Sequence, residues 1–292
     1  MTIGITGATG FIGCTLVDLV LRRGHEVVAF TRQPSRTIPG CEMRAFSLEH
    51  PPDLTGCHAV IHLAGEPAAG LWTPAKKRRI LESRQLGTRR VVEAIAAAKD
   101  PPEVLVSGSA IGFYSDAGDS ELTEQSAAGV GFLAETVQAW EAEARRAAGC
   151  RVVLVRTGLV LGKGGGAMRA LAPIFRLGLG GPIGNGRQWM SWIHVADEAR
   201  LLLFAAENLE VRGPLNATAP WPVRNAEFAA TLARVLDRPG FLRVPAFALR
   251  MLGEFSRELL DSKRVLPEVA TEHQFGFHFP ELEPALKNFR LQ

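Results

Sequence analysis

The residues best suited to chemistry form a glycine-rich stretch near the start of the chain, Thr6-Gly7-Ala8-Thr9-Gly10-Phe11-Ile12-Gly13. It follows a predicted strand (3–6) and opens a predicted helix (11–23). In such a turn the first glycine permits a tight bend, the second lets the backbone approach a pyrophosphate, and the third lets helix and strand pack closely. Unpaired amides at the helix N-terminus would face the phosphates. We therefore predict a dinucleotide site formed by Gly7, Thr9, Gly10, Phe11, Ile12 and Gly13.

A basic residue stands where the preference between NAD and NADP is set. The second predicted strand (26–31) ends at Thr31-Arg32. A site for NAD would place Asp or Glu here to accept from the ribose 2′-hydroxyl. A guanidinium instead matches a 2′-phosphate through two hydrogen bonds. We expect Thr31 and Arg32 to favour NADP(H), with Arg36 as a further candidate; the alternative is an ordinary solvated arginine.

The elements that must position these residues alternate between short apolar runs and longer amphipathic ones. Repeated strand–helix units predict an α/β protein with a doubly wound, mostly parallel, Rossmann-like sheet. From about Gly158, glycine-rich loops and a C-terminal third rich in proline and aromatic residues predict a smaller lobe at the C-terminal edge of the sheet. The predicted strands are 3–6, 26–31, 59–64, 104–107 and 151–156, and the predicted helices are 11–23, 73–98 and 132–148.

Composition excludes several classes of protein. The 292 residues are 47% hydrophobic and 22% charged, which is typical of a globular chain. A net charge of +3 is too small to indicate nucleic-acid binding. The four cysteines form no CxxC pair and the histidines form no HExxH, so we predict no metal site. Without a signal peptide or a run of about 18 apolar residues, we expect a cytoplasmic protein with no membrane partner.

Several stretches resemble the extended short-chain dehydrogenase/reductase (SDR) superfamily. The glycine-rich turn, a fourth strand at Ala59–Gly65, Arg156 at the end of a later strand, and Ile193–Asp197 match its pattern. The similarity extends over nearly the whole chain. More narrowly, the chain resembles the atypical branch called the epimerase family, family 39U of the YfcH type, at Leu63–Glu66, Glu82–Arg84, Gly164–Met168, Gly178–Gly184, Ser191–His194 and Asn225–Phe228.

This resemblance implies NADP as the cofactor and a division of the chain. Residues 1–160 would form the NADP-binding domain, its sheet completed by later segments at about 187–220. Residues 161–292 would form a substrate-side lobe, including a small C-terminal domain over 239–286. The alternative for Lys76–Arg79 is a solvated helix face. Further cofactor contacts implied by the resemblance are Leu63, Ala64, Gly65, Arg79, Arg84 and Arg156.

The proton-transfer pair of SDR enzymes, Tyr-x-x-x-Lys, is absent. Tyr114 is the only tyrosine, and Gly118 stands four residues after it. The predicted helix 132–148, which should carry the pair, has apolar or small residues at both positions. The alternative for Ser109 is a turn serine and for Glu141 a solvated carboxylate, and we interpret His194 as a packed structural histidine. The candidates for acid–base chemistry are Ser109, Tyr114 and Glu141, with Glu135 as a further one.

Two functions remain open from the sequence. The first is an NADP-dependent oxidoreductase or epimerase with atypical acid–base residues, acting on a small carbonyl or hydroxyl compound such as a sugar. The second is a non-catalytic NADP(H)-binding sensor or interaction protein. We expect a monomer or a homodimer.

Overall fold

A computed structural model describes residues 1–35, 37–245, 251 and 253–291, so Arg36 lies outside the described residues. The strands are β1 (Thr2–Thr6), β2 (Glu26–Thr31), β3 (Cys41–Ala45), β4 (Ala59–His62), β5 (Val104–Ala110), β6 (Glu121–Leu122), β7 (Arg151–Thr157), β8 (Leu159–Leu161), β9 (Trp189–Met190), β10 (Trp192–His194), β11 (Gly213–Ala217), β12 (Val223–Arg224) and β13 (Arg264–Val265). The helices are α1 (Phe11–Arg22), α2 (Pro74–Ala97), α3 (Phe132–Ala144), α4 (Met168–Arg176), α5 (Val195–Glu207) and α6 (Asn225–Val235), followed by helices at Phe255–Leu260, Glu268–Glu272 and Leu282–Leu291.

Seven strands form one parallel sheet in the order β11-β7-β5-β4-β1-β2-β3. The chain runs outward from β1 through β2 and β3 on one side, and through β4, β5, β7 and β11 on the other. Ligands of such sheets bind where this direction reverses, at the carboxyl ends of the strands. The glycine-rich turn after β1, the residues after β4 and the end of β2 all lie at this edge. The predicted Rossmann-like class is therefore confirmed.

Most predicted elements lie within two residues of the observed ones at each end. Helix α3 and strand β5 are exceptions, because α3 ends at Ala144 rather than at residue 148 and β5 ends at Ala110 rather than at residue 107. The sequence did not predict β3, a half-exposed strand at the sheet edge whose Cys-Glu-Met-Arg-Ala sequence lacks an apolar run. Of the late segments, β11 joins the main sheet, whereas β9 and β10 belong to separate two-stranded sheets. No helix among the described residues is long and apolar enough to cross a membrane.

The C-terminal part of the chain contributes to two apolar cores, of which the first includes the main sheet. The first core lies between the sheet, α1 and α5, and it also contains Ala270 and Phe275. The second core is built by α4, α6 and the last helix, with Phe175, Phe228 and Leu286 among its members. Residues 264–275 thus pack directly on the main sheet. The division at residue 160 stays a prediction.

Candidate functional site

The glycine-rich turn between β1 and α1 is built around two glycines that the fold requires. Gly7 has a φ of +72°, in the left-handed region, and a Cβ there would lie 2.9 Å from the carbonyl carbon of Leu63. A Cβ on Gly13 would lie 2.1 Å from the Gly7 carbonyl oxygen. These contacts leave no room for a side chain at either position.

Gly10 differs from the other two because it is exposed and has an ordinary extended backbone, with φ −78°. A Cβ there would approach only the Gly7 carbonyl oxygen, at 3.1 Å. Gly10 also precedes α1, and no side chain caps the first-turn amides of that helix. The space above Gly10 is therefore open and faces hydrogen-bond donors, as a pyrophosphate site requires.

A cleft of about 420 Å³ beside the turn is lined by Thr9, Thr31, Arg32 and Gln33. Arg32 is exposed, and none of the described carboxylates pairs with it. The amide of Gln33 donates to Thr31 Oγ1 at 3.2 Å, which fixes the bend after β2. The structure thus brings the predicted Thr9, Thr31 and Arg32 together. Gln33 was missed by the sequence analysis, although it directly follows Arg32.

The segment after β4 is fixed to β1 by a buried threonine. Thr6 Oγ1 accepts hydrogen bonds from the amides of Leu63 and Ala64, each at 3.1 Å, and lies 2.7 Å from His62 Nδ1. Burial lowers the pKa of His62 to about 4, so the ring is neutral. Thr6 and His62 therefore hold the Leu63–Ala64 backbone beside the turn. Sequence reasoning missed both, although Thr6 opens the glycine-rich stretch.

Arg84 on α2 is a largely desolvated cation beside the segment that follows β4. One guanidinium nitrogen donates to the carbonyls of Glu66, at 2.9 Å, and Ile80, at 3.3 Å, and the group lies 5.0 Å from the Trp140 ring. Burial lowers its pKa to about 10, so it stays charged at neutral pH. A Cβ on Gly65 would lie 3.7 Å from this guanidinium, which places Gly65 beside it.

Arg79 lies apart from Arg84, on the exposed side of α2. Its Nε is 3.4 Å from Glu66 Oε1, which also receives Lys76 Nζ at 2.8 Å. This ion pair is on the surface, where such pairs stabilise the fold by little. Arg79 therefore shares the Glu66 carboxylate with Lys76, and the contact of Arg79 with the cofactor stays a prediction.

Arg156, at the carboxyl end of β7, joins all three acid–base candidates. Its Nε and one terminal nitrogen donate to the two carboxylate oxygens of Glu141, at 2.8 and 3.0 Å. Ser109 Oγ donates to the same carboxylate at 2.7 Å. The remaining nitrogen of Arg156 donates to the Tyr114 hydroxyl at 2.9 Å. Residues distant in sequence thus form one buried hydrogen-bonded network.

Tyr114 lies at the far end of this network, with 1% of its surface exposed. Besides receiving Arg156, its hydroxyl lies 2.8 Å from Asn216 Oδ1 and 3.0 Å from the Thr123 carbonyl oxygen, to which it can donate. Burial raises the pKa of the phenol, and Arg156 offsets part of that effect. Asn216 was missed by sequence reasoning because nothing in its local sequence marks it.

One sequence interpretation differs from what the structure shows. Glu141 is not a solvated carboxylate, because it is 3% exposed and paired with Arg156. Arg156 is itself 2% exposed, and its three nitrogens donate within the protein. The buried Glu141 carboxylate needs this cation beside it, and the predicted contact of Arg156 with the cofactor stays a prediction. Glu135 is exposed. His194 caps α5 by accepting from the Ala196 amide, as a structural histidine would.

Two family models match separate parts of the chain. Residues 3–217 match the model of the NAD dependent epimerase/dehydratase family, and residues 244–289 match a domain of unknown function, DUF1731. The chain is 40% identical to the epimerase family protein SDR39U1 homolog of Arabidopsis thaliana, over 98% of this chain and 86% of the relative. That relative is described as chloroplastic, so a cytoplasmic location stays a prediction for this chain.

Two solved structures allow the fold of the chain to be compared directly. The crystal structure of human epimerase family protein SDR39U1 (isoform 2) with NADPH superposes with a TM-score of 0.91, at 35% identity and full coverage of both chains. A structure of MoeE5 with UDP-glucose and NAD has a TM-score of 0.77, at 22% identity, over 99% of this chain and 97% of that one, and shares the fold. With a family model over most of its length and SDR39U1 relatives along all of it, the chain belongs to the NAD-dependent epimerase/dehydratase family, in the epimerase-family branch that ends in DUF1731.

Proposed function

We propose that the protein binds NADP(H) and transfers a hydride to or from a small carbonyl or hydroxyl compound, such as a sugar. The observation that carries this proposal is Arg32, an exposed guanidinium that pairs with no carboxylate of the described residues, in the cleft beside the glycine-rich turn. A guanidinium there matches the 2′-phosphate that distinguishes NADP from NAD. The human relative crystallised with NADPH supports this choice.

The chain's own residues account for each part of the cofactor. Gly10 and the first-turn amides of α1 would hold the pyrophosphate, and Thr31 and Arg32 the 2′-phosphate end. The backbone held by Thr6, at Leu63–Ala64, would line the path of adenine and ribose. When bound, the cofactor supplies or accepts the hydride.

We assign Ser109 as the group that orients the substrate oxygen together with a water molecule, which gives a proton to that oxygen or takes one from it as the hydride moves. Ser109 lies at the carboxyl end of β5, the edge at which ligands of such sheets bind. Its hydroxyl is held by Glu141, whose two oxygens are already engaged by Arg156. Glu141 and Tyr114 then act as positioning residues: Glu141 fixes Ser109, and Tyr114 fixes Arg156.

Single-turnover oxidation of bound NADPH, measured against a panel of aldehydes, ketones and nucleotide sugars, tests this proposal. We expect turnover with at least one compound, and a loss of about 10²-fold or more in Ser109→Ala, the usual contribution of a positioned proton-transfer group. Ser120→Ala is the matched control, because Ser120 is exposed and outside the network. Equal loss in both variants would contradict the role of Ser109.

A second candidate is a non-catalytic NADP(H)-binding sensor. The observation that favours it is the phenol of Tyr114, the only tyrosine in the sequence, which is 1% exposed and already engaged by Arg156, Asn216 and Thr123. Tight NADPH binding without hydride loss across the whole panel would select this function.

A further inference from the structure

A cluster of large apolar side chains is exposed on the C-terminal lobe, away from the glycine-rich turn. Helix α4 and the turn after it expose Ile174, Leu177 and Leu179, which are 46%, 74% and 56% accessible. The loop after α6 exposes Phe241 and Leu242, which are 74% and 42% accessible. Single exposed apolar residues are ordinary, but a group of five indicates a contact surface.

The two loops that carry these residues lie side by side. The Gly184 amide donates to the Val244 carbonyl, and the Val244 amide donates to the Pro182 carbonyl, each at 2.9 Å. A Cβ on Gly181 would lie 2.2 Å from the Leu242 carbonyl oxygen, so the backbones are in direct contact. Ile174, Leu177, Leu179, Phe241 and Leu242 therefore belong to one surface, which we name the apolar face.

Positive charge flanks the apolar face. Residues 169–182 contain two arginines and residues 238–245 contain two more, while neither segment contains Asp or Glu. Asp237 is the acidic residue that directly precedes the second segment. One arginine joins the two loops, since Arg238 Nε donates to the Arg176 carbonyl at 3.0 Å. The cations of these segments are exposed, namely Arg169, Arg176, Arg238 and Arg243.

We propose that the apolar face binds the surface of a membrane containing anionic phospholipid. Exposed apolar side chains flanked by arginines match the boundary between acyl chains and anionic headgroups. A second copy of the chain is disfavoured as the occupant, because a symmetric contact would bring the same arginines together.

The sequence analysis predicted no membrane partner because no segment is long enough to span a bilayer. Contact with one membrane surface needs no spanning segment, so the lack of one does not exclude binding through the apolar face. The proposal is also independent of the proposed function, since it invokes neither cofactor nor substrate.

Flotation of the full chain with vesicles tests this proposal. The probes are vesicles of phosphatidylcholine alone and of equal parts phosphatidylcholine and phosphatidylglycerol. We expect binding to the anionic vesicles only, weakening as salt rises. Arg243→Gln should weaken it about fivefold, the effect of one basic residue near an anionic surface. Leu177→Ser combined with Leu179→Ser, and Phe241→Ser alone, should each reduce binding by about tenfold or more.

Leu209→Ser is the matched control, because Leu209 is 67% exposed on the loop after α5 and lies outside the apolar face. An unchanged melting temperature and NADPH affinity would show that the face variants are folded. Absence of binding to anionic vesicles, or equal loss in the Leu209 control, would overturn the proposal. The proposal would also be overturned if the protein bound no vesicles and substitutions in the apolar face changed the mass of the assembly in solution. That result would make the face an interface between copies of the chain.

Discussion

At the scale of single residues, Arg156 decides whether the buried network can exist. Taking the Glu141 carboxylate out of water is unfavourable unless a cation and further hydrogen bonds replace the lost hydration. Arg156 supplies two of these bonds, and Ser109 supplies a third. The network therefore stabilises the carboxyl ends of β5 and β7, and it holds the Ser109 hydroxyl in one orientation.

We predict that Tyr114→Phe affects stability more than cofactor binding. The change removes a buried hydroxyl and leaves Asn216 Oδ1 and one nitrogen of Arg156 without their partner. Leaving such groups unpaired should lower the free energy of unfolding by about 1–3 kcal/mol. Urea unfolding and calorimetric titration with NADPH check this. Unchanged stability together with lost hydride transfer would instead make Tyr114 a group that touches substrate.

A second residue-scale prediction concerns Glu198, a fully buried carboxyl on α5. Thr157 Oγ1 donates to one of its oxygens at 2.8 Å, and the other oxygen has no hydrogen-bond partner among the residues that the structure describes. Burial raises its pKa from 4.5 to about 8. The native state therefore keeps a proton that the unfolded state releases, and stability should fall as pH rises from about 4.5 to about 8.

Glu198→Gln removes this titration. We expect the free energy of unfolding of the variant to equal that of the wild type in acid and to exceed it at alkaline pH. Between the two limits, the difference should grow by at most about 1.4 kcal/mol per pH unit. Urea unfolding at a series of pH values measures it, with the exposed Glu210→Gln as control. A wild-type slope that persists in Glu198→Gln would show that another group is responsible.

At the scale of elements, different glycines of the glycine-rich turn serve folding and cofactor binding. We predict that Gly10→Val folds but loses NADPH affinity by about tenfold or more, because the side chain fills the space above the turn and removes charged hydrogen bonds. Gly13→Val should instead destabilise the fold, since its Cβ would lie 2.1 Å from a backbone oxygen. Thermal unfolding and NADPH titration distinguish them. A folded Gly10→Val protein with normal affinity would mean that the turn is only structural.

The sequence predicted the elements better than it predicted the site. Apolar runs such as Ala59–His62 and the glycine-rich turn are local signals, so the buried strands and the start of α1 could be placed. Ser109, Tyr114 and Glu141 were each found singly. The hydrogen-bonded network that joins them through Arg156 depends on how β5, β7 and α3 pack, and no local sequence pattern encodes that packing. For the same reason, the sequence did not show that Glu141 is buried.

At the scale of the whole molecule, the C-terminal segment behaves as part of the Rossmann-like body. Asp197 on α5 is fully buried, and its carboxylate accepts from the backbone amides of His278 and Phe279 at 2.9 and 2.8 Å. Asn216 Nδ2 donates to the Leu266 carbonyl at 2.9 Å. These contacts join residues 266–279 to β11 and α5.

We therefore predict that Asp197→Ala destabilises the whole molecule in one cooperative step. Two backbone amides and Arg200 would lose their acceptor, which should lower the free energy of unfolding by about 2–5 kcal/mol. Asp100→Ala, at an exposed position, is the control. Calorimetry that resolves two separate transitions would show instead that the C-terminal segment unfolds on its own.

The measurement that tests the central claim most directly is calorimetric titration of the protein with NADPH and with NADH, repeated on Arg32→Asp. One or two charged hydrogen bonds to the 2′-phosphate contribute about 1.5–3 kcal/mol each, so NADPH should bind at least about tenfold more tightly than NADH. Arg32→Asp should reverse that order, because a carboxylate repels the 2′-phosphate and accepts from a ribose hydroxyl. Equal affinities in the wild type, or a preference for NADPH that survives Arg32→Asp, would contradict the assignment of this cleft to NADP(H).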